Sequence, residues 1–349
     1  MEISTTTESS YLNTWNYFDY YILNNEIFER EARHPEFPII LSIVTLLSLI
    51  GNVLVVVISV CCMRLRSLTS IFMLNFALSD LLFTVGLVLR VYHLISGLNP
   101  SDAVCKVIQY TFSAGFYSSI MFLVLMSVQR YTTTVHPHSG WKIRRRVACI
   151  FIFAWVVSLL AVLPVMIHAV AFPESDFCMY SSSIVHISLT YKENIICVCA
   201  FLFLSVYYIK ILRVIVKLPT NPRHRTTGLA FILVVMFFIC WAPYNIVNFL
   251  ETLTYYQINF AMEFSEHLNY ANYICHLLVF IRCCLNPVIY ALFGLKYRKS
   301  VREIYLRRAP VHSARMETGE LPLQDRDSLN NQVPEQDINQ DFHELQSLS

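Results

Sequence analysis

The chain has 349 residues, 56% of them hydrophobic and only 14% charged, with a formal net charge of +2. Soluble domains run at roughly 45–50% apolar and about 25% charged, so the charges here are too few to face water around a single globular core, which excludes a soluble enzyme. The small net charge excludes a nucleic-acid binder, and eight glycines exclude a collagen-like or Gly-rich disordered chain, leaving an integral membrane protein.

The first 37 residues form a polar, acidic arm in which Glu2, Glu8, Asp19, Glu26, Glu29, Glu31 and Glu36 are offset only by Arg30 and Arg33. An anionic, flexible arm suits a basic partner, and Tyr11, Tyr17, Tyr20 and Tyr21 lie in a setting that suits tyrosine sulfation; the plain alternative is a solvating tail. The arm lacks the charged-then-apolar plan of a cleaved signal, so the first span is expected to serve as the anchor.

Crossing about 30 Å of hydrocarbon takes roughly 20 helical residues, and seven stretches satisfy this. Residues 38–63 carry no charge, 67–89 carry only Asp80, and 107–129 and 147–173 carry none. Residues 194–209 are short, with Lys192 and Lys210 placed to snorkel at the ends. Residues 226–250 are uncharged, and 267–295 are interrupted once, by Arg282. The runs are continuous where a β-barrel would alternate. The expected fold class is an all-α membrane protein, a seven-transmembrane helix bundle over residues 38–292.

Lys and Arg gather after spans one (Arg64, Arg66), three (Lys142, Arg144, Arg145, Arg146) and five (Arg213, Lys217, Arg223, Arg225), and beyond span seven (Lys296, Arg298, Lys299, Arg302, Arg307, Arg308). The positive-inside rule makes these segments cytoplasmic and the N-terminus extracellular. Residues 293–308 alternate basic and apolar residues, as a short amphipathic helix on the inner leaflet would, and 309–349 read as a disordered cytoplasmic tail.

Several residues inside these spans ask for a reason. Asp80 is an intramembrane ionisable group, hence either functional or a neutral, hydrogen-bonded structural acid. Pro243 and Pro287 remove helix hydrogen bonds and make kinks about which a helix end can swing, or are there for packing. Arg130, ending an uncharged run, either snorkels as an anchor or closes an intracellular cavity. Trp241, one turn from Tyr244 with Phe237 below, makes an aromatic column able to repack between two states, or a plain core stripe.

Taken in order, one set per span, Gly51-Asn52, the run 74–80 (Leu-Asn-Phe-Ala-Leu-Ser-Asp), Gln129-Arg130-Tyr131, Trp155, Cys240-Trp241-Ala242-Pro243 and Asn286-Pro287-Val288-Ile289-Tyr290 resemble the rhodopsin-like G-protein-coupled receptors over residues 38–308. Arg223-His224-Arg225-Thr226, Trp241-Ala242-Pro243-Tyr244-Asn245, Ile274-Cys275-His276, Cys283-Cys284-Leu285-Asn286-Pro287, the run 67–72 and Ser118-Ser119-Ile120 narrow the resemblance to the chemokine-receptor type. Within that type the chain is most similar to the XC-chemokine (lymphotactin) receptors. Gln129 where the family has an acid, and Ala200 where it has a proline, point the same way.

The resemblance implies a receptor for a chemokine, signalling through a heterotrimeric G protein of the inhibitory class to direct chemotaxis, at the plasma membrane. The alternative is a scavenging decoy that internalises its ligand without G-protein signalling; a peptide receptor of the same class, or a transporter, is more remote. An enzyme is not expected, since there is no His-Glu-x-x-His site, and neither an inverted repeat nor broken helices suggest a transporter. The implied partners are a basic, small, secreted chemokine outside, a heterotrimeric G protein and arrestin inside, and membrane lipid, with no cofactor and no nucleic acid.

The family also implies site residues. Cys105 and Cys178 look like its disulfide, whereas the second bridge usual in chemokine receptors lacks cysteines on both sides. Ligand binding falls to Tyr17, Asp19, Tyr20 and Tyr21 of the arm and to Arg90, Phe112, Tyr244, Asn248, Glu251, Asn272 and His276; Arg90 and His276 replace a tryptophan and a glutamate and make the pocket more cationic. Coupling and switching fall to Gln129, Arg130, Tyr131, Tyr208, Arg223, Trp241, Pro243, Asn286, Pro287 and Tyr290. The neutral Gln129 amide offers Arg130 only a weak hydrogen bond while Arg223 repels it, so either raised basal activity or impaired coupling follows. A buried polar network is expected among Asn52, Asp80, Ser119, Arg282 and Asn286. Where relatives often hold a sodium ion between such an aspartate, serine and asparagine, Arg282 shares a helix face with Asn286 and Tyr290 and is expected to pair with Asp80 in the ion's place, so no metal is expected.

Overall fold

The computed structural model describes residues 36–62, 68–135, 144–171, 178–217, 224–255, 265–294, 297–298 and 301–302. Helix α1 spans Glu36–Val57 and runs on as a π-helical turn, Ile58–Cys62. Helices α2 (Leu68–Ser96), α3 (Asp102–Val135) and α4 (Arg144–His168) follow. Two short strands, β1 (Ala169–Ala171) and β2 (Cys178–Tyr180), precede α5 (Ser183–Lys217), α6 (His224–Tyr255) and α7 (Ser265–Phe293). All seven helices are long and apolar enough to cross a membrane.

Their apolar surface explains both the helices and the bundle. In hydrocarbon every backbone N–H and C=O must be satisfied within the segment, which a continuous helix does. Large side chains such as Ile50, Phe153, Ile167 and Ile195 lie on the outside, a costly arrangement against water and a natural one against lipid. Polar residues instead face inward: Asn52, Ser79, Asp80, Ser118 and Ser119 are fully buried. Helix α3 is the central post, with 72% of its membrane window buried inside the protein against 28% for α4 and α5, and it packs on α2, α4, α5 and α6.

Two glycines are placed for geometry. Gly51 lets α1 lie against Pro287 of α7, because a Cβ there would stand 3.0 Å from Pro287 Cγ. Gly97, at φ +63°, ends α2 in the left-handed conformation and donates its N–H to the His93 carbonyl.

The seven-helix fold is the expected one, with corrections at its edges. The uncharged stretch 147–173 does not stay helical: α4 stops at His168, and Ala169–Ala171 pairs antiparallel with Cys178–Tyr180. This hairpin is held by the Cys105–Cys178 disulfide and by Ala171 N donating to Asp102 Oδ1 on the first turn of α3. Lack of charge marks what can be buried and does not distinguish helix from strand. Helix α5 starts at Ser183 where 194 was expected, because Lys192 and Glu193 sit inside it. Lys192 does not snorkel to an end; its Nζ donates to the Ala161 carbonyl of α4 at 3.2 Å and lies 5.2 Å from the Tyr117 ring centroid. The acidic arm (1–35), residues 303–349 and most of the expected surface helix 293–308 lie outside the described residues.

Candidate functional site

Three levels of the bundle carry the unusual side chains. At the end bearing the hairpin, α2, α3, α5, α6 and α7 enclose a pocket to which Arg90, Phe112, Tyr244, Asn248, Glu251, Asn272 and His276 all contribute. Asn272 Nδ2 donates to Glu251 Oε1 at 2.7 Å, and His276 Nδ1 donates to the Asn272 carbonyl at 3.0 Å, so α6 and α7 are stitched together along the wall. The His276 ring stands edge-on to Tyr244 at 5.1 Å, and the Arg90 guanidinium lies 6.0 Å from the Phe280 ring centroid. Cys178 and Tyr180 of the hairpin line the same pocket, so the disulfide fixes one of its walls.

The cationic pocket expected from Arg90 is balanced by two carboxylates, since Glu193 of α5 joins Glu251 in the lining. Glu193 and His186 were missed because the fifth span was read as starting at 194. The available signal was the serine run Ser181-Ser182-Ser183, a helix-start composition, with Ser182 accepting the first helical bond from His186 N. Tyr17, Asp19, Tyr20 and Tyr21 lie outside the described residues.

Trp241 lines the inner part of this pocket and connects it to the level below. Its ring centroid is 4.3 Å from Phe116, 5.7 Å from Tyr244, 6.2 Å from Phe237 and 6.4 Å from Phe83, so the aromatic column expected along α6 also includes α2 and α3. Pro243 lies inside α6 just beyond it.

At mid-depth the two charges of the apolar spans meet. Arg282 Nη1 is 3.2 Å from Asp80 Oδ1, and its Nη2 donates to Ser119 Oγ at 2.7 Å. Asn286 Nδ2 donates to Asp80 Oδ2 at 2.7 Å, so one carboxylate ties α2 to α7 twice. The guanidinium carbon lies 5.2 Å from the Phe237 ring centroid, a cation–π contact to α6. Asn52 is fully buried and joins α1 to α7 by donating to the Cys283 carbonyl at 2.9 Å; its amide also donates to the Ser48 carbonyl, again at 2.9 Å. Ser48 and Thr84 hydroxyls, 2.6 Å apart, continue the polar seam toward α2. On the other face of α2, Trp155 Nε1 donates to Asn75 Oδ1 at 2.8 Å and fixes α4.

At the opposite end from the pocket, Arg130 is held differently from expectation. Its Nη2 donates to Thr69 Oγ1 of α2 at 3.2 Å, and Gln129 Oε1 is buried with no hydrogen-bond partner among the described residues. The amide therefore does not hold the arginine through that oxygen; its neighbour across the bundle does. Arg223 lies outside the described residues, so its expected repulsion has no structural counterpart here. The Tyr131 and Tyr207 rings stack edge to face at 5.3 Å with Lys210 Nζ 6.0 Å from each. Tyr208 packs on Phe231 at 5.4 Å, and Tyr290, fully buried after Pro287, lies 6.4 Å from Tyr297.

A pocket at one end, a charged clip at mid-depth and an arginine at the other end are joined by packed helices, two of which carry prolines inside them, Pro243 and Pro287. Comparison with known proteins agrees. The model of the seven-transmembrane receptor (rhodopsin) family matches residues 51–290. Human chemokine XC receptor 1 is 35% identical over 294 residues, covering 82% of this chain and 87% of that protein. Human C-C chemokine receptor type 8 is 33% identical over 267 residues (74% and 75%), and human C-C chemokine receptor type 1 is 30% identical over 325 (89% and 91%). The chain thus belongs to the rhodopsin family of seven-transmembrane receptors, within its chemokine-receptor branch, and is a non-enzymatic, multi-pass plasma-membrane protein.

Proposed function

We propose that the chain is a receptor for a chemokine, with the acidic arm and the hairpin end outside the cell and the Arg130 end inside. It couples to a heterotrimeric G protein of the inhibitory class and so directs chemotaxis. The observation that carries this reading is the pocket under the disulfide-tied hairpin, joined through Trp241 and its ring contacts to the Asp80–Arg282 level and beyond. A ligand seated there shifts the receptor between two packings only by as much as it binds one better than the other. The arm, with its acidic residues and tyrosines, offers a basic ligand its first, electrostatic contact.

The pocket's charges say what end of the ligand enters. Arg90 stands on α2 and the carboxylates Glu193 and Glu251 on α5 and α6, so an inserted segment carrying both an amine and an acidic or carbonyl group is matched at both walls. Charge-assisted hydrogen bonds are worth about 1.5–3 kcal/mol, so Arg90→Ala or Glu251→Gln lowers ligand potency roughly 10- to 100-fold, read from dose–response curves.

The deciding experiment is suppression of cAMP in cells expressing the chain, with an XC-type chemokine first and a panel of other chemokines after it. Suppression by one ligand supports the reading and names the partner. A second reading, a scavenger that takes up chemokine without G-protein signalling, is favoured by the unpartnered Gln129 oxygen beside Arg130. Uptake of labelled ligand with no suppression decides for it.

A further inference from the structure

The mid-depth clip has a property that the receptor reading does not require. Asp80 lies fully buried on α2, and a carboxylate there needs a cation. Arg282 is buried to 4% exposure on α7 and supplies one that cannot be shed, since a guanidinium stays charged in proteins. The groups a small cation would use already face a guanidinium or an amide N–H, two by hydrogen bonds and Asp80 Oδ1 by an ion pair alone. Asp80 Oδ1 faces Arg282 Nη1, Asp80 Oδ2 accepts from Asn286 Nδ2, and Ser119 Oγ accepts from Arg282 Nη2. A sodium ion, which the family resemblance implies between these residues, meets a like charge already 3.2 Å from the carboxylate in a low-dielectric interior, and finds Asp80 Oδ2 and Ser119 Oγ engaged by N–H donors. These residues do not fit the ion.

We infer that Arg282 is the permanent core cation of this receptor: its guanidinium occupies the place of a mobile monovalent cation, ties α2, α3 and α7 in one arrangement, and makes the core indifferent to sodium. It follows that deleting the guanidinium uncovers a latent cation site of carboxylate, hydroxyl and amide oxygens. The inference does not depend on which ligand the receptor takes.

The test is thermal unfolding of the purified full chain in lipid nanodiscs, in equal concentrations of sodium, potassium and N-methylglucamine chloride, with no ligand added. The wild-type chain is expected to melt at one temperature in all three salts, and a sodium-specific rise overturns the inference. Arg282→Ala is expected to melt lower in N-methylglucamine and to regain a few degrees, saturably, in sodium; identical melting in the three salts overturns the latent site. Should Arg282→Ala fail to accumulate as folded protein, the pairing is read from Asp80→Asn/Arg282→Ala beside Asp80→Asn alone. The double variant is expected to be the more stable of the two and insensitive to sodium, because it leaves no buried charge. A double variant no better than Asp80→Asn overturns the pairing.

Discussion

The Asp80–Arg282 level and the Arg130 end each place an arginine among helices, and they treat it in opposite ways. At mid-depth the guanidinium has a carboxylate at 3.2 Å, a hydroxyl at 2.7 Å and an aromatic face. At the other end Arg130, among the described residues, donates to the Thr69 hydroxyl at 3.2 Å, beside an amide oxygen with no partner among them. A buried charge paired with its counter-charge behaves as a rivet, because leaving one member alone is costly. An arginine held by one neutral acceptor is released cheaply, which suits a surface that must exchange an internal contact for a partner.

The contrast can be broken from its stronger side first. Asp80→Ala strands the Arg282 charge and is expected to cost about 3–5 kcal/mol, seen as a large fall in melting temperature and in surface expression. Gln129→Asp tests the weaker side by placing a carboxylate beside Arg130; a charge-assisted bond of about 1.5–3 kcal/mol is expected to lower basal G-protein activation roughly tenfold or more, measured by nucleotide exchange on membranes. Unchanged basal activity would mean that Arg130 is not under the control of residue 129. Thr69→Val removes the hydroxyl that now holds Arg130 and is expected to raise basal exchange several-fold, in line with one hydrogen bond of about 1 kcal/mol. Trp155→Phe sharpens the comparison from outside, since it breaks a bond, to Asn75, in which neither arginine takes part. It is expected to lower stability by about 1 kcal/mol while leaving the response to sodium as it was.

Chain composition alone determined a good deal. Seven long apolar runs, five of them uncharged, called for membrane helices, because a helix satisfies its own backbone in hydrocarbon, and seven such helices are found among the described residues. One acid and one base inside those runs were bound to seek each other, since neither is affordable alone, and Asp80 and Arg282 meet. The disulfide was legible from the family resemblance, with its two cysteines lying outside the apolar runs, and Cys105 and Cys178 are bonded.

What composition left open depends on the rotation and depth of one helix against another. Arg130 rests on Thr69 because α2 presents that hydroxyl there, a fact that no residue spacing within α3 carries. Lys192 bonds an Ala161 carbonyl inside the bundle, so a charge that marked the end of a span by composition lies within a helix in the folded chain. Extended backbone after His168 pairs as a hairpin because Cys105 and Asp102 of α3 hold it in place, though the same residues are apolar enough to have continued α4. Burial and charge cost are properties of each residue and can be read along the chain. Who meets whom across the bundle is a property of packed surfaces, and it exists only once the helices are side by side.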